Sequence, residues 1–332
     1  MNAASYGLPP RPAVEALLGA VDEWRHGRTH WDVWDRATGE SREAWAALHA
    51  VPASAVAVAG QVSAFTGLIA LSLERGARVV CAERDFTSVI WPFLVAGADV
   101  ELVPLEQLAS AIDGNTAVVA VSAVQSIDGR VADLDAIAAA ASHHGALTCV
   151  DATQASGWLP LDAGRFDFFM ASAYKWLLSP RGTSFMAVRP AAAERLRPHM
   201  AGWYAGDDPF DTNYDAPLRL AEDASRFDLS PAWMSWVGAV PALRLLGEVG
   251  IEAVYEHDVG LANRFRAGLG MEPGDSAIVA LPAEDALVAR LRAADVSVTV
   301  REGFIRFSFH VFNTEADVDR ALEAAAGRTP AG

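Results

Sequence analysis

The stretch FDFFMASAYKWLLSPRGTSFMAV, residues 166–188, contains the features that decide the fold. It begins with an apolar run typical of a buried strand and then places Lys175 between Tyr174 and Trp176. A second apolar run, residues 182–188, follows after a short connecting segment. A lysine beside buried strands is costly unless it is paired, neutral or covalently used. The stretch therefore predicts a functional lysine at a strand end, with an ordinary surface lysine as the alternative.

Seven short apolar runs indicate the strands of one sheet. Several are continuously apolar over most of their length rather than alternating, as in strands that are covered on both faces. Helical patterns at 62–76 and 133–145 lie between them and close on glycine. This alternation predicts an α/β fold, a three-layer sandwich around a mainly parallel sheet, and the short link between the last two runs allows an antiparallel strand there. The runs are AVAVAG (55–60), ARVVCAE (77–83), ADVELVP (98–104), TAVVAVSAV (116–124), ALTCVDA (146–152), FDFFMASA (166–173) and GTSFMAV (182–188).

The C-terminal third of the chain has a different pattern. After Pro231, helical patterns are interspersed with three strand-like runs, which predicts a small α+β domain. We assign residues 16–230 to a large domain, and residues 231–332 together with 1–15 to the small one. The polar segment 200–228 is expected to be a long loop that helps form the functional site. The three runs are SAIVALP (276–282), VSVTVRE (296–302) and FIRFSFHV (304–311).

Composition narrows the function classes. The formal charge of −16 argues against a nucleic-acid or anionic-membrane partner, because no basic field would attract phosphate groups. No apolar run reaches membrane-spanning length, and the N-terminus lacks the order of a signal peptide, so we expect a cytoplasmic protein. Cys81 and Cys149 lie in strand-like runs, which favours buried free thiols over a zinc site, and no metal is expected.

Three chemical groups are predicted to meet at one edge of the sheet. Asp151 ends an apolar strand, Gln154 follows it, and ligands of parallel sheets bind at the carboxyl ends of the strands. The backbone N–H groups of Val62 and Ser63, with the Ser63 hydroxyl, would form an anion cradle at a helix start. With Lys175, these make a phosphate site, a carboxylate and an amine. Asp151 as a helix cap and Ser63 as an ordinary first-turn serine are the alternatives.

Pyridoxal 5′-phosphate needs that set of groups. Its aldehyde needs a lysine for a Schiff base, and its ring nitrogen needs a carboxylate that keeps the nitrogen protonated. Its phosphate needs oriented N–H and hydroxyl donors, and its ring needs a flat partner. The combination therefore favours a pyridoxal phosphate enzyme.

Two segments carry a family resemblance. VDATQASGWLPLD (150–162), followed by the stretch at 166–188, resembles the core signature of the class V aminotransferases, which are fold type I pyridoxal phosphate enzymes. FIRFSFHVFNTEADVDRAL (304–322) resembles the end of the same family. The resemblance spans residues 51–325. The family includes cysteine desulfurases, kynureninase and isopenicillin N epimerase-like proteins.

The resemblance implies a role for each candidate residue around the cofactor ring. Lys175 would be the Schiff-base lysine and the proton shuttle at Cα. Asp151 would pair with the pyridine nitrogen, and Gln154 would bond the phenolic oxygen. Phe86 would stack on the ring, as in kynureninase-like members. Tyr174 replaces the histidine that most relatives have before the lysine, and its hydroxyl can also donate to phosphate.

Further residues would bind the phosphate and the substrate. The resemblance gives the phosphate to the Val62 backbone and the Ser63, Ser172 and Tyr174 side chains. Ser230 stands where relatives reach the phosphate of a partner subunit, which implies a homodimer with a shared active site; a helix N-cap before Pro231 is the alternative. Arg306 would grip the substrate carboxylate, or else be a solvated residue of an alternating strand.

The sequence defines the cofactor better than the reaction. We expect an aminotransferase-like enzyme acting on a small amino acid, with a Cβ-lyase of the kynureninase or C–S lyase kind as the alternative, and an epimerase also open. A persulfide-carrying desulfurase is disfavoured, since residues 295–308, before and around Arg306, contain no cysteine. A silent protein on this fold is disfavoured by Lys175, Asp151 and Arg306 together. A nicotinamide dehydrogenase is disfavoured because GQVSAFTG, not G-x-G-x-x-G, follows the first strand.

Overall fold

The computed structural model describes residues 1–28, 30–211, 213, 214 and 216–326. Its larger sheet has seven strands: β1 Val56–Ala59, β2 Arg78–Ala82, β3 Asp99–Val103, β4 Thr116–Ser122, β5 Leu147–Asp151, β6 Phe168–Ser172 and β7 Ser184–Val188. They are ordered β1-β7-β6-β5-β4-β2-β3. Only β7 runs against its neighbours β1 and β6, whereas the other described pairs of this sheet are parallel. The predicted seven-stranded, mainly parallel sheet is therefore confirmed, including the antiparallel strand.

Eleven α-helices surround the sheets in the described part of the chain. The predicted helix at 133–145 is Leu134–His144, begun by an Asp133 side chain that accepts from Ala136 N and ended by left-handed Gly145. The helix predicted at 62–76 stops at Ser72, because Leu73 already has an extended backbone, so it does not close on Gly76. The helices are α1 Arg11–Arg25, α2 Trp31–Leu48, α3 Val62–Ser72, α4 Thr87–Ala96, α5 Leu108–Ala111, α6 Leu134–His144, α7 Pro190–Ala193, α8 Trp233–Val249, α9 Ile251–Gly268, α10 Asp285–Ala293 and α11 Glu315–Ala325.

A second, three-stranded sheet lies near the C-terminus. Its strands are β8 Ile278–Pro282, β9 Thr299–Arg301 and β10 Phe304–Ser308, ordered β8-β10-β9 with both pairs antiparallel. One face packs with α9, α10 and α11 around buried side chains such as Phe265 and Phe307. The predicted small α+β unit is present here. Residues 327–332 of the predicted small domain lie outside the described residues, and the boundary after residue 230 stays a prediction.

The N-terminal segment joins the two sheets. Asn2 forms a parallel bridge with Ser308, and Ala4 N donates to Ser308 Oγ at 3.0 Å. Helices α1 and α2, which follow this segment, both pack on α8. In the described part of the chain, no helix is both long enough and apolar enough to cross a membrane.

Buried His49 links α2 to the turn after β5. Its Nδ1–H donates to the Leu161 carbonyl at 3.1 Å, which leaves Nε2 to accept from Ser156 Oγ at 2.7 Å. Burial lowers the pKa of His49 from 6.5 to about 4, although the Leu161 carbonyl and Asp162 oppose this. Below pH 6.5 the unfolded chain thus takes up a proton that the folded chain refuses.

We expect this difference in proton uptake to lower the free energy of unfolding at acid pH. Because the folded-state pKa is depressed, the contribution is complete above pH 6.5 and is lost as pH falls toward 4, by about 3 kcal/mol. A His49→Gln variant should lose about that much less free energy of unfolding between pH 7 and pH 4, measured by urea denaturation. The matched control is His143→Gln, at an exposed position. Parallel pH curves for His49→Gln and the unaltered protein would contradict the assignment.

Candidate active site

A cavity of about 430 Å³ opens where β5 and β6 end. Its walls come from the segments after β1, β2, β4, β5 and β6 and from the segment before antiparallel β7, all of which reach the same edge of the sheet. This is the edge at which open α/β sheets bind ligands. Eight of the ten predicted site residues line it: Val62, Ser63, Phe86, Asp151, Gln154, Ser172, Tyr174 and Lys175.

The other two predicted residues lie outside this lining. Arg306 is buried nearby, where one Nη donates to the Ser126 carbonyl and the other to Ser5 Oγ at 2.8 Å. Ser126 itself lines the cavity, so Arg306 is one residue removed from it. Ser230 is exposed, and it does not cap α8, which begins at Trp233 after the N-cap Ala232. The helix-cap alternative for Ser230 is therefore wrong.

None of the described residues of the loop segment at 200–228 lines the cavity. Within the described part of this segment, Tyr204 is buried and donates its hydroxyl to Asp35 on α2 at 2.8 Å. Its ring and the nearby Trp203 join a cluster with Trp233 and Phe210. The segment is thus held by aromatic contacts away from the cavity lining, contrary to the expectation from the sequence.

Lys175 is the central group of the site. Its Nζ lies 5.5 Å from the centre of the Phe86 ring and 5.7 Å from that of Tyr174. Burial lowers the pKa of the amine; Asp151 opposes this change, and Arg306 and Arg301 add to it. A buried amine with a lowered pKa is a nucleophile and a base near neutral pH.

Two glycines allow the close packing around the Lys175 backbone. A Cβ on Gly7 would lie 2.0 Å from the Lys175 carbonyl oxygen, and one on Gly157 would lie 2.4 Å from that of Trp176. Gly157 has a φ of +113°, which side-chain-bearing residues rarely adopt. Gly7 N also donates to the Tyr174 carbonyl at 3.0 Å. The backbone on both sides of Lys175 is therefore fixed by neighbouring main chain.

Asp151 ends β5 inside the protein. Its carboxylate accepts from Thr153 N at 2.8 Å, and the following residues form turns, so it does not begin a helix. Burial raises the pKa of Asp151, while Thr153 and Lys175 act in the opposite direction. A buried carboxylate beside an amine can pair with a protonated ring nitrogen of a ligand.

The donors predicted for a phosphate, Val62, Ser63, Ser172 and Tyr174, line the same cavity. Helix α3 begins at Val62, and no side chain caps it, which leaves the first-turn N–H groups for a ligand. Ser172 N donates to Thr153 Oγ1 at 3.0 Å, and Ser172 Oγ lies 2.9 Å from Ser184 Oγ. This end has the chemistry of an anion site.

Gln154 has part of its hydrogen-bonding capacity engaged. Its Oε1 accepts from Trp176 Nε1 at 2.8 Å, and its Nε2 donates to the Ala4 carbonyl at 3.0 Å. An amide nitrogen carries two hydrogens, so one N–H remains for a ligand oxygen. The side chain is thereby oriented before any ligand binds.

The sequence analysis missed Asp85, which is buried beside the cavity. Its carboxylate accepts from Ser122 N at 2.7 Å, Ser122 Oγ at 2.5 Å, Gln125 Nε2 at 3.2 Å and Phe86 N at 2.6 Å. It therefore ties the backbone of Phe86 to the end of β4. Burial raises the pKa of Asp85 against these bonds. In CAERDF the residue looks like an ordinary turn aspartate, so only the long-range partners identify it.

His310, which the sequence offers as a residue of the pocket, lies outside the cavity lining and pairs with Asp258, which the sequence analysis missed. His310 Nδ1 lies 2.7 Å from Asp258 Oδ2, and its Nε2 donates to the Trp176 carbonyl at 2.8 Å. Both residues are fully buried, and Asp258 Oδ1 has no hydrogen-bond partner in the described part of the chain. The pair connects α9 and the end of β10 to the residue after Lys175. Asp258 gave no signal in the sequence, because an aspartate in a helical pattern reads as solvated.

The two cysteines are unsuited to carry sulfur. Burial raises the pKa of the Cys81 thiol to about 12 and that of Cys149 well above its usual range. Neither lines the cavity. No group of three or more His, Cys, Asp or Glu side chains suited to a metal ion occurs among the described residues.

The comparisons with known proteins agree with this geometry. Residues 60–289 match the family model of the class V aminotransferases. The chain belongs to the class V aminotransferase family. These enzymes depend on pyridoxal phosphate, so the predicted family and cofactor are confirmed.

Curated relatives of this class V enzyme have different activities. The chain is 28% identical to an uncharacterized aminotransferase, YcbU, of Bacillus subtilis, over 96% of this chain and 91% of the relative. It is 26% identical to isopenicillin N epimerase of Streptomyces clavuligerus, over 86% and 83%, respectively. It is 27% identical to kynureninase of Deinococcus radiodurans, over 78% of this chain and 67% of the relative.

Solved structures show the fold of this class V enzyme. A cystine C–S lyase, C-DES, in complex with cysteine persulfide superposes with a TM-score of 0.89 at 19% identity, covering 99% of this chain and 97% of the other. A cysteine desulfurase of Thermococcus onnurineus superposes with a TM-score of 0.84 at 20% identity, covering 98% and 94%. The predicted fold type I architecture is confirmed.

The residues around the cavity fit the cofactor. The volume of about 430 Å³ suits a small-molecule ligand, and amine, carboxylate and uncapped helix start surround it. Asp151 is buried, and Thr153 and Lys175 only partly offset the burial of its charge, so a protonated ring nitrogen would complete its environment.

Proposed function

We propose that this class V enzyme uses pyridoxal phosphate bound to Lys175 to move the Cα proton of an amino acid, with transamination as the overall reaction. The observation that carries the proposal is the buried Lys175 amine, whose pKa is lowered, in one cavity with Asp151 and Phe86. The bound cofactor supplies an electron sink for the bond that breaks at Cα. Lys175 then has to be an unprotonated amine, which burial favours.

The other side chains would position the cofactor and the substrate. Asp151 would keep the cofactor ring protonated, and Gln154 would offer its remaining N–H to the ring's oxygen. The first turn of α3, with Ser63, Ser172 and Tyr174, offers donors to the phosphate. Phe86 would cover the ring, and Asp85 positions Phe86 by accepting a hydrogen bond from its backbone N–H. Arg306 binds the substrate carboxylate through the Nη groups that now contact Ser126 and Ser5.

A Cβ-lyase is the second candidate. It is supported by the placement of the Phe86 and Tyr174 rings close to Lys175 Nζ, since these two residues resemble kynureninase-like members. A sulfur-carrying desulfurase has less support, because both thiols are buried and kept protonated. Both remaining reactions begin with removal of the Cα proton, so products distinguish them.

An absorption experiment tests the proposal. The holoenzyme is mixed with single amino acids while the cofactor spectrum and the products are followed. We expect stable conversion to a pyridoxamine-type spectrum, with one equivalent of 2-oxo acid formed, and return of the original spectrum when a 2-oxo acid is added. Repeated turnover with release of pyruvate, alanine or sulfide would instead establish the lyase. No spectral response to any amino acid would refute both reactions.

The carboxylate role of Arg306 gives a prediction. Arg306→Gln should lower kcat/KM for the amino acid substrate by about 10- to 100-fold, mainly through KM, because a charge-assisted hydrogen-bonded pair is lost. The reaction with an amine that lacks a carboxylate should change much less. Arg290→Gln is the matched control, since Arg290 also bonds backbone carbonyls, those of Ala324 and Ala325. Equal losses for the amino acid and the amine would show that Arg306 acts only on the structure.

A homodimer with a shared site is the proposed assembly. It is supported by exposed Ser230 and by apolar side chains on α4, the helix that Phe86 begins: Trp91 is 60% exposed, Leu94 51% and Val95 86%. Light scattering combined with a Val95→Asp variant tests it: we expect a dimer that dissociates on substitution and then binds the cofactor more weakly. A monomeric holoenzyme would refute it. The cytoplasmic location stays a prediction.

A further inference from the structure

Several arginines near the cavity have no carboxylate partner. Arg306, Arg301 and Arg181 form no ion pair within the described residues, although the chain has a net charge of −16. Each of the three lowers the pKa of a site group: all three act on Lys175, and Arg301 also acts on Arg306 and Tyr174. Uncompensated positive charge in an acidic protein indicates anionic ligands.

The β9–β10 ladder places Arg301 on the same face as Arg306. Thr299 lies directly opposite Arg306, and Arg301 lies opposite Phe304, two residues along each strand. Alternation keeps all four side chains on one face of the sheet. That face meets the site, because Arg306 donates to the carbonyl of Ser126, which lines the cavity. Ser5 Oγ contacts both Arg306 Nη2 at 2.8 Å and Thr299 Oγ1 at 2.6 Å on the same face.

The spacing of the two arginines suits one ligand with two anions. Arg301 and Arg306 lie on neighbouring strands and are offset by two residues, so their Cα atoms are about 8 Å apart. Two long guanidinium side chains at that separation can each reach one end of a small dicarboxylate. The third arginine, Arg181, lies elsewhere, with its guanidinium 4.8 Å from the centre of the Tyr174 ring.

The anionic groups already assigned to the site account for only two of the three arginines. Under the proposed function, the substrate α-carboxylate takes Arg306, and the cofactor phosphate lies toward α3 and Tyr174, where Arg181 is found. Arg301 is exposed and has no hydrogen-bonding side-chain partner among the described residues. Arg84 lies at the same end of the face, over the Phe304 ring at 5.9 Å, and like Arg301 it forms no ion pair with any described residue.

We propose that the preferred substrate is an amino acid whose side chain carries a second anion, and that Arg301 selects it by binding that anion. The inference rests on the proposed function, because it assumes that Arg306 binds the α-carboxylate. A carboxylate, sulfinate or sulfonate side chain has the required chemistry. Neutral isosteres lose the charge-assisted bond, and cationic side chains meet repulsion from Arg301.

The test uses substrate pairs that differ only in charge. With the holoenzyme, kcat/KM is measured for L-glutamate against L-glutamine and for L-aspartate against L-asparagine, and L-cysteinesulfinate distinguishes a sulfinate from a carboxylate. We expect the acid of at least one pair to be preferred about tenfold or more, and the preference to fall with added salt. Binding of succinate against butanoate, measured by calorimetry, gives the same comparison without turnover.

Variants separate selection from structure. Arg301→Gln should bring the acid-to-amide ratio near one, mainly by lowering kcat/KM for the acid, and Arg301→Glu should reverse the preference. Arg292→Gln, at an exposed arginine of α10, should keep the wild-type ratio. The inference would be overturned if the acid-to-amide ratio survived Arg301→Gln, or if amides were used as well as acids. It would also be overturned if Arg301→Gln dissociated a dimer, because Arg301 would then pair with an acidic residue of the partner subunit. A cofactor spectrum unresponsive to every amino acid would instead refute the proposed function, and succinate binding would still report on Arg301.

Discussion

A Lys175→Ala variant is expected to lose covalently bound cofactor and to lose turnover by about 10²- to 10⁴-fold, the range typical of removing a positioned acid–base group. Lys175 is the only lysine among the 26 lysine and arginine residues of the chain. No other side-chain amine can therefore replace it. The measurement is intact mass after borohydride reduction, together with the amino-acid-dependent change in the cofactor spectrum.

Two controls make the result specific to the amine. Lys175→Met keeps an unbranched chain in the buried position and should behave like the alanine variant in chemistry but unfold less easily. Added ethylamine should restore part of the proton transfer in Lys175→Ala, since the cavity left behind can hold a small amine. The only other amine is the Met1 terminus, whose pKa is lowered by burial. A cofactor that borohydride still fixes to Lys175→Ala outside Met1 would refute the assignment.

The second large effect is expected at the Asp258–His310 pair. Asp258→Ala should lower the free energy of unfolding by about 3–5 kcal/mol, because it leaves a buried imidazole nitrogen without its partner. His310 Nε2 must carry a proton to donate to the Trp176 carbonyl, so Nδ1 and Asp258 share a second proton. Loss of this partner should also loosen the backbone next to Lys175 and shift the pH at which the cofactor spectrum titrates.

Denaturation in urea and a pH titration of the cofactor band measure the two effects. Asp258→Asn can still donate to a neutral Nδ1 and should cost only about 1 kcal/mol. Asp319→Ala, which removes an exposed partner of Arg264, should cost less than about 1 kcal/mol and leave the spectrum unchanged. Unaltered stability in Asp258→Ala would contradict the proton-sharing pair. Lost stability with an unchanged spectral titration would show that the pair does not act on Lys175.

The sheet and the position of the site could be predicted from the sequence because their signals are local. The stretches 117–121 and 168–171 are continuously apolar, as expected for strands covered on both faces, and Asp151 and Lys175 stand at or just after the ends of such strands. Arg306 depended on a family resemblance, since an arginine in an alternating strand has no local signal of burial.

The groups that were missed depend on long-range contacts. Asp85 is identified by bonds to Ser122 and Gln125, and Asp258 by a partner 52 residues away in the sequence. The loop at 200–228 was expected at the site because polar, glycine-rich segments often lie there, but its aromatic contacts with Trp233 hold it elsewhere. Local composition does not determine which surface such a segment meets.

The contacts that fasten the small sheet have a consequence for how the enzyme meets its substrate. Arg306 is bonded to Ser126, His310 to the Trp176 carbonyl and Ser308 to the N-terminal segment, so the small sheet is attached to the site at three points. These three attachments restrict movement of the small sheet relative to the site, so the binding geometry is preorganised before the ligand arrives. We therefore expect ligand affinities to differ mainly through dissociation rates, with association rates nearly uniform across a substrate series.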